Sequence, residues 1–241
     1  LELARLPIQI AQPTNSKPRL AFVSPLPPEK SGIADYSAQI LPALRRHYEI
    51  DIISAQEAID DAWIMAHCAI RTVDWFEANA HYYDRILYHI GNSTFHQHMF
   101  PLLQKIPGVV VLHDFYLGNI SAYLELHSGW RKYWVSALLH SHGYAAVEDR
   151  FAGDLRHVIY HYPVNFGVLE QAQGIIVHSH HARELSQQFY PNYGSDGWRI
   201  IPLARRVLSS AGKSSARRDL GFSEGDTVVC SFGFIQDTKL S

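Results

Sequence analysis

The sequence has little cysteine, no long apolar run and no excess of charge of either sign. Cys68 and Cys230 are its only cysteines. They are too few for a disulfide framework and too far apart for a CxxC redox pair or a metal-binding pair, which points to a reducing, cytoplasmic setting. The longest apolar runs, such as Val109 to Leu112, fall far short of the ~20 residues a membrane helix needs. Lys+Arg 21 against Asp+Glu 23 leave a formal net charge of -2. No global basic field is available to drive non-specific nucleic-acid binding, so nucleic acid is not an expected partner. The opening stretch LELARLPIQIAQPTNSKP lacks the basic n-region and apolar h-region of a signal peptide. Interrupted by Pro7, Pro13 and Pro18, it reads as a linker or extended arm over residues 1–18.

What is present is a globular composition, 47% hydrophobic and 18% charged over 241 residues, enough for one large or two small units with a proper core. Short apolar runs at Leu20–Val23, Ile50–Ile53, Ile86–Ile90, Val109–Leu112 and Ile175–Val177 alternate with helical patterns. That alternation predicts an α/β fold, a Rossmann-like, doubly wound parallel sheet. Ile33, Tyr36, Ile40, Leu41, Leu44 and Tyr48 recur at helical spacing and mark the first crossover helix, with Pro42 a misfit in its interior. Between Leu117 and Ala172 no strand pattern appears, and Trp130, Tyr133, Trp134, Ala137 and Leu138 follow a helical stripe. This predicts a helical insertion whose aromatics either pack a core or form a docking face for a lipid-linked acceptor at a membrane surface. Arg205 to Arg218 holds five positive charges among Ser and Gly, as expected of a solvated connection between domains. Thr227–Phe232 reads as a buried strand that opens a second domain. The expected organisation is an arm over 1–18, a domain over 19–206, and a linker with the start of a second domain over 207–241. The chain, which begins at Leu1, then reads as a piece of a longer protein.

Polar residues fall at the strand ends. In an open parallel sheet ligands bind beyond the carboxyl ends of the strands. Here those ends run into SPLPPEKSGIADYS, Gly91-Asn92-Ser93, His113-Asp114 and His178-Ser179. Taken singly, each has an ordinary reading as well as a functional one. Ser31-Gly32 before a helix could present backbone N–H groups to a phosphate, or be a geometric turn. His113 could be a catalytic or binding imidazole, and Asp114 a ligand or a turn cap. Ser179 is expected to cap the following helix. Histidine pairs at His96 and His98, His140 and His142, and His178 to His181 invite a metal reading. His157 and His161 even have helical i, i+4 spacing, but Val158 stands where H-E-x-x-H needs its glutamate. No metal site is expected, and without a G-x-S-x-G elbow neither is a serine hydrolase.

The ordered blocks PLPPEKSGIADYSAQILPAL, YHIGNSTFH, VVVLHDFYLGN, GIIVHSHHARE, IIPLARR and SFGFIQDTK are together more specific than any one of them. Over residues 19–241 they resemble the successive blocks of family 4 (group 1) retaining glycosyltransferases, nearest to bacterial mannosyltransferase-like members. The resemblance implies a GT-B architecture, with residues 19–206 as the acceptor-side domain facing a donor-binding one. It implies transfer of a hexose from a nucleotide-diphosphate sugar to a glycan or lipid-linked acceptor in polysaccharide or lipopolysaccharide synthesis. Such an enzyme works in the cytoplasm or at the inner face of its membrane, without an obligatory metal or other cofactor. By the same resemblance Ser31, Gly32 and Lys239 fall at the donor diphosphate, Asn92 and Asp114 in the sugar or acceptor pocket, and His113 at the transferred sugar. Two departures stand out. Phe234 occupies a position where many members have arginine, and the E-x7-E carboxylates do not occur before Ser241. A non-catalytic sugar- or nucleotide-binding module of the same fold is the alternative, and a histidine-metal hydrolase the third reading.

Overall fold

A computed structural model describes residues 17–204 and 212–230, which fall into two compact units divided between those ranges. The arm before residue 17 and Lys239 lie outside the described residues. In the first unit the order is β1 (Arg19–Val23), α1 (Gly32–Leu44), β2 (Glu49–Ser54), α2 (Ala62–His67), β3 (Ala69–Thr72), α3 (Val73–Asn79), β4 (Arg85–Ile90), α4 (Met99–Lys105) and β5 (Val109–Leu112). A run of helices follows: α5 (Gly118–Leu126), α6 (Tyr133–His142), α7 (Tyr144–Ala152), α8 (Leu155–His161) and α9 (Phe166–Gln171). The unit closes with β6 (Gly174–Val177), α10 (His180–Phe189) and β7 (Arg199–Ile200).

The strands form one seven-stranded sheet in the order β3-β2-β1-β4-β5-β6-β7, parallel at every pairing. This is the α/β, Rossmann-like doubly wound architecture that the alternating pattern predicts. All five expected strands are present. The two edge strands, β3 and β7, lack the apolar run that marks the others: β3 is largely exposed and β7 is two residues long. Central strands are buried on both faces, which is why they read as continuous hydrophobic runs. Along β1, Leu20 and Phe22 enter the core under α1 and α2, while Ala21 and Val23 enter the core on the opposite face with Tyr88, Ile90 and Val110.

Helix α1 starts because Ser31, in extended conformation, accepts the N–H of Ile33 at 3.2 Å, satisfying one of the orphan donors at a helix start. Tyr36 and Leu41 are buried, Ile33, Ile40 and Leu44 half-buried, and Pro42 is exposed in the last turn. The helix runs through Pro42 and ends at Leu44, so Tyr48 lies beyond it, packed against the same core. The insertion α5–α9 is helical as expected. Its aromatic stripe is mainly a core: Trp134 and Leu138 are fully buried in a cluster of their own with Ala146 and Val158, and the Arg150 guanidinium lies 4.5 Å above the Trp134 ring.

In the second unit, Lys213–Asp219 form a short helix, α11, where the sequence reads as part of a solvated linker. Thr227–Cys230 have no strand assignment and are exposed, contrary to the buried strand expected there. A strand needs a neighbour to pair its N–H and C=O groups, and the described residues of this unit include no strand. Residues 231 and 232 lie outside the described range.

Phe22 lies at the centre of the sheet with no exposed surface. Phe22→Ala is expected to destabilise the protein by about 3–5 kcal/mol, measured as a fall in the urea midpoint with an unchanged slope.

Candidate functional site

The strand order reverses between β1 and β4, since β1 leads outward to β2 and β3 and the chain then returns to place β4 on the other side. Loops leaving adjacent strands in opposite directions open a crevice at their carboxyl ends. The β1–α1 loop at this crevice is held by Gln56, whose side chain accepts the Leu26 N–H and donates to the Leu26 carbonyl, both at 2.8 Å. Ser24 Oγ, at 2.7 Å from Ser37 Oγ, ties the same loop to α1.

Of the sequence-predicted site residues, Asn92 and Asp114 meet here beside Gly91. A Cβ on Gly91 would lie 2.3 Å from Ile33 Cδ1, 2.9 Å from His96 Nε2 and 3.0 Å from Asp114 Oδ2, so the first turn of α1 presses on the end of β4 where no side chain fits. Asp114, just after β5, accepts the Asn92 N–H at 2.8 Å and thereby ties the β4 and β5 loops together. Asn92 Oδ1 in turn accepts the Ile120 N–H at 3.0 Å in the first turn of α5, whose N-cap Leu117 provides no side-chain acceptor. Asp114 and Asn92 therefore both make structural contacts, each leaving one polar side-chain atom unpaired among the described residues.

Gly32 differs from Gly91. Its φ lies outside the left-handed region, and a Cβ there would meet nothing within 4 Å. Neither backbone conformation nor packing demands a glycine at the start of α1. Exposed Lys30 and Asp35 flank it with opposite charges.

His113 is half-buried at the end of β5, with both ring nitrogens engaged: Nε2 lies 2.9 Å from His89 Nδ1 and Nδ1 lies 3.1 Å from His178 Nε2. His178 Nδ1 donates to the Ile201 carbonyl at 2.8 Å. The sheet places them together because His89, His113 and His178 lie on one face of β4, β5 and β6 or just past their ends. The Tyr36 ring of α1 lies 5.2 Å from His113 and 5.5 Å from His178, edge-on to both. Burial drives His89 well below the usual imidazole range and lowers His113 to about 3, with neighbouring histidines adding to both shifts. Sequence reasoning singled out His113 and placed His178 at a strand end, but it passed over His89, hidden inside a strand, and Tyr36, hidden in a helix pattern.

Two more imidazoles stand by. His96 donates from Nδ1 to the His89 carbonyl at 2.9 Å, while its Nε2 and that of His98 are buried without a partner among the described residues. Burial lowers each to about 4. His98 lines a cavity of about 320 Å³ at the ends of β1 and β2, together with Ser24, Glu29, Ser54, Gln56 and Gln97. A larger cavity of about 460 Å³ lies in the helical layer, between Phe100 and Gln104 of α4, Tyr133 and Ala137 of α6, and Val168 of α9. Ser179 is the N-cap of α10, but its hydroxyl makes no capping bond there. His157 and His161 do stack at 4.9 Å. Among the described residues, however, no three His, Cys, Asp or Glu side chains are gathered to hold a metal. Nor is any described helix long and apolar enough to cross a membrane.

No family model matches the chain, and no curated protein matches it. Among solved structures it is similar to an alpha-glucosyltransferase in complex with UDP-glucose and DNA containing an abasic site, with TM-score 0.42 and 10% identity over 79% of this chain and 44% of that one. It is also similar to Phytolacca americana UGT2 complexed with UDP-2fluoro-glucose and pterostilbene, with TM-score 0.41 and 11% identity over 82% of this chain and 56% of that one. The chain spans about half the length of these two structures.

The two glycines should respond oppositely to a single methyl group. Gly91→Ala is expected to lower the melting temperature by several degrees, because α1 must move off β4. Gly32→Ala is expected to leave it unchanged or raise it, as alanine restricts the unfolded chain and finds open space in the folded one.

Acid should destabilise the protein through the buried imidazoles. An unfolded imidazole titrates near 6.5, whereas folded His96 and His98 remain neutral to about 4. Below pH 6.5 the unfolded chain binds protons that the folded chain refuses, so stability present at neutral pH is lost as pH falls toward 4. His98→Leu should flatten that decline by about 1.4 kcal/mol per pH unit, read from urea unfolding at a series of pH values.

Proposed function

We propose that this chain is the acceptor-side unit of a retaining glycosyltransferase of the family 4 type. In this reading it transfers a hexose such as mannose from a nucleotide-diphosphate sugar to a glycan or lipid-linked acceptor. The observation that carries the reading is the convergence of the family-like blocks on one crevice. SGIADYS supplies Ser31, Gly32 and Tyr36, YHIGN supplies His89, Gly91 and Asn92, HD supplies His113 and Asp114, and VHS supplies His178. Of these, Gly91, Asn92 and Asp114 meet at the end of β4 beside Ile33, and Tyr36, His89, His113 and His178 meet through their rings, while Ser31 and Gly32 open the helix that carries Ile33 and Tyr36.

A sugar nucleotide already has a good leaving group. Catalysis then needs hydrogen-bond donors and positive charge at the departing diphosphate, and an oriented acceptor hydroxyl. The N-terminus of α1 suits the departing diphosphate, because Ser31 and the unobstructed Gly32 let a phosphate approach the backbone, with Lys30 adjacent. Lys239 is assigned to the same diphosphate from beyond the described residues. The polar cavity at the ends of β1 and β2 is also lined by Glu29, Thr94 and Gln97, whose side chains have the hydroxyl-binding groups that an acceptor sugar requires. Exposed Tyr144 and Phe151 on α7 support a peripheral membrane contact for a lipid-linked acceptor. The assigned site residues make an obligatory metal unnecessary to this scheme, and cytoplasmic polysaccharide or lipopolysaccharide assembly is the setting it suits.

The test is turnover of a panel of nucleotide sugars. The 241-residue chain is expected to fold and leave all of them intact, while a chain with a complete donor-binding unit turns one over. In that longer chain Lys239→Ala is expected to lower turnover by about 10²-fold or more, the scale of one lost transition-state donor. Equal turnover by the variant would move Lys239 out of the site.

A further inference from the structure

The hydrogen bonds across the strand ends have a direction, and it is set at one end. A carbonyl oxygen can only accept, so His178 Nδ1, 2.8 Å from the Ile201 oxygen, holds a hydrogen. In a neutral ring that leaves Nε2 as a bare lone pair. It faces His113 Nδ1 at 3.1 Å, which must therefore be the donor. The same step then makes His113 Nε2 the acceptor of the His89 Nδ1 hydrogen at 2.9 Å. The chain stops at His89 Nε2, a buried atom without a partner among the described residues. All three rings are thus the same tautomer, and the direction is imposed by Ile201.

The two neighbours of His113 differ in access. His89 has no exposed surface, whereas His178 is half-buried at the crevice side of the chain. A ligand arriving from solvent can approach His113 from the His178 side, but not from the side of His89. The Tyr36 ring, edge-on to His113 and His178, packs against this arrangement from α1.

We propose that His178 is a positioning residue for His113: anchored on the Ile201 carbonyl, it fixes His113 as the Nδ1–H tautomer, so that His113 meets its ligand as a hydrogen-bond donor. The ligand atom it takes is an acceptor oxygen that approaches the same Nδ1–H from the His178 side and shares it with His178 Nε2, and the proposed function, on which this identification rests, makes that atom a sugar oxygen. His89 supports the same ring orientation from below by donating to Nε2.

The experiment is long-range proton–nitrogen NMR on the 241-residue chain labelled at histidine nitrogens, at neutral pH and without ligand. His89, His113 and His178 are expected as Nδ1–H tautomers. His178→Leu, which removes the anchor, is expected to convert a substantial fraction of His113 and His89 to the Nε2–H form. His178→Gln, whose side-chain oxygen can accept in place of Nε2, keeps His113 as Nδ1–H. His89→Leu leaves His113 and His178 unchanged, because the direction comes from the other end. An Nε2–H His113 in the unsubstituted protein overturns the proposal, and that spectrum needs no variant to fold. Tautomers indifferent to His178→Leu overturn it too. No sugar donor enters the measurement, so its failure and a failure to find glycosyl transfer are separate results.

Discussion

The first turn of α1 rests directly on the end of β4, and this contact exists only because residue 91 has no side chain. Ile33, His96 and Asp114 all occupy the space that a Cβ would need. From this approach the rest of the site follows. It sets Ser31 and Gly32 above the strand ends, brings Tyr36 to the histidine rings, and leaves Asp114 near enough to take the Asn92 N–H. A sheet whose order reverses at β1 and β4 creates a crevice in any sequence. The close packing at Gly91 brings polar His96 and Asp114 to the end of β4 in this one.

Around that contact the histidines divide by what they can exchange with solvent. His89, His96 and His98 are held neutral by burial, and His113 is nearly as protected. A group that stays neutral through the physiological range can supply directional hydrogen bonds but does not act as a base that stores a proton. The arrangement is thus suited to orienting a polar ligand.

Much of the fold was legible in the sequence because parallel strands buried on both faces must be apolar throughout. Leu20–Val23 and Val109–Leu112 announce themselves in this way. Ala69–Thr72 and Arg199–Ile200 do not, since an edge strand has one partner and needs few apolar residues. The segment Thr227–Cys230 misled for the converse reason, as β-branched residues favour a strand only where a neighbour exists to pair with. The site was legible in part. Strand-end positions single out His113, Asn92 and Asp114 as candidates, and a helix start singles out Ser31 and Gly32. The histidine chain was not legible, because its members stand 24 and 65 residues apart and only the strand register brings them into line. Gly32 and Gly91 look alike in the sequence, yet the first is free of the fold's demands and the second is fixed by them.

Asn92 has a consequence of another kind. Its side-chain oxygen serves as the N-cap that α5 does not provide for itself, holding the Ile120 N–H from a loop that belongs to a different strand. Rotating the Asn92 amide toward anything in the crevice would release that N–H, and an orphaned donor at a helix start costs free energy. A ligand that turned this amide would loosen the first turn of the insertion, whereas one held by the unpaired Nδ2 would leave it intact.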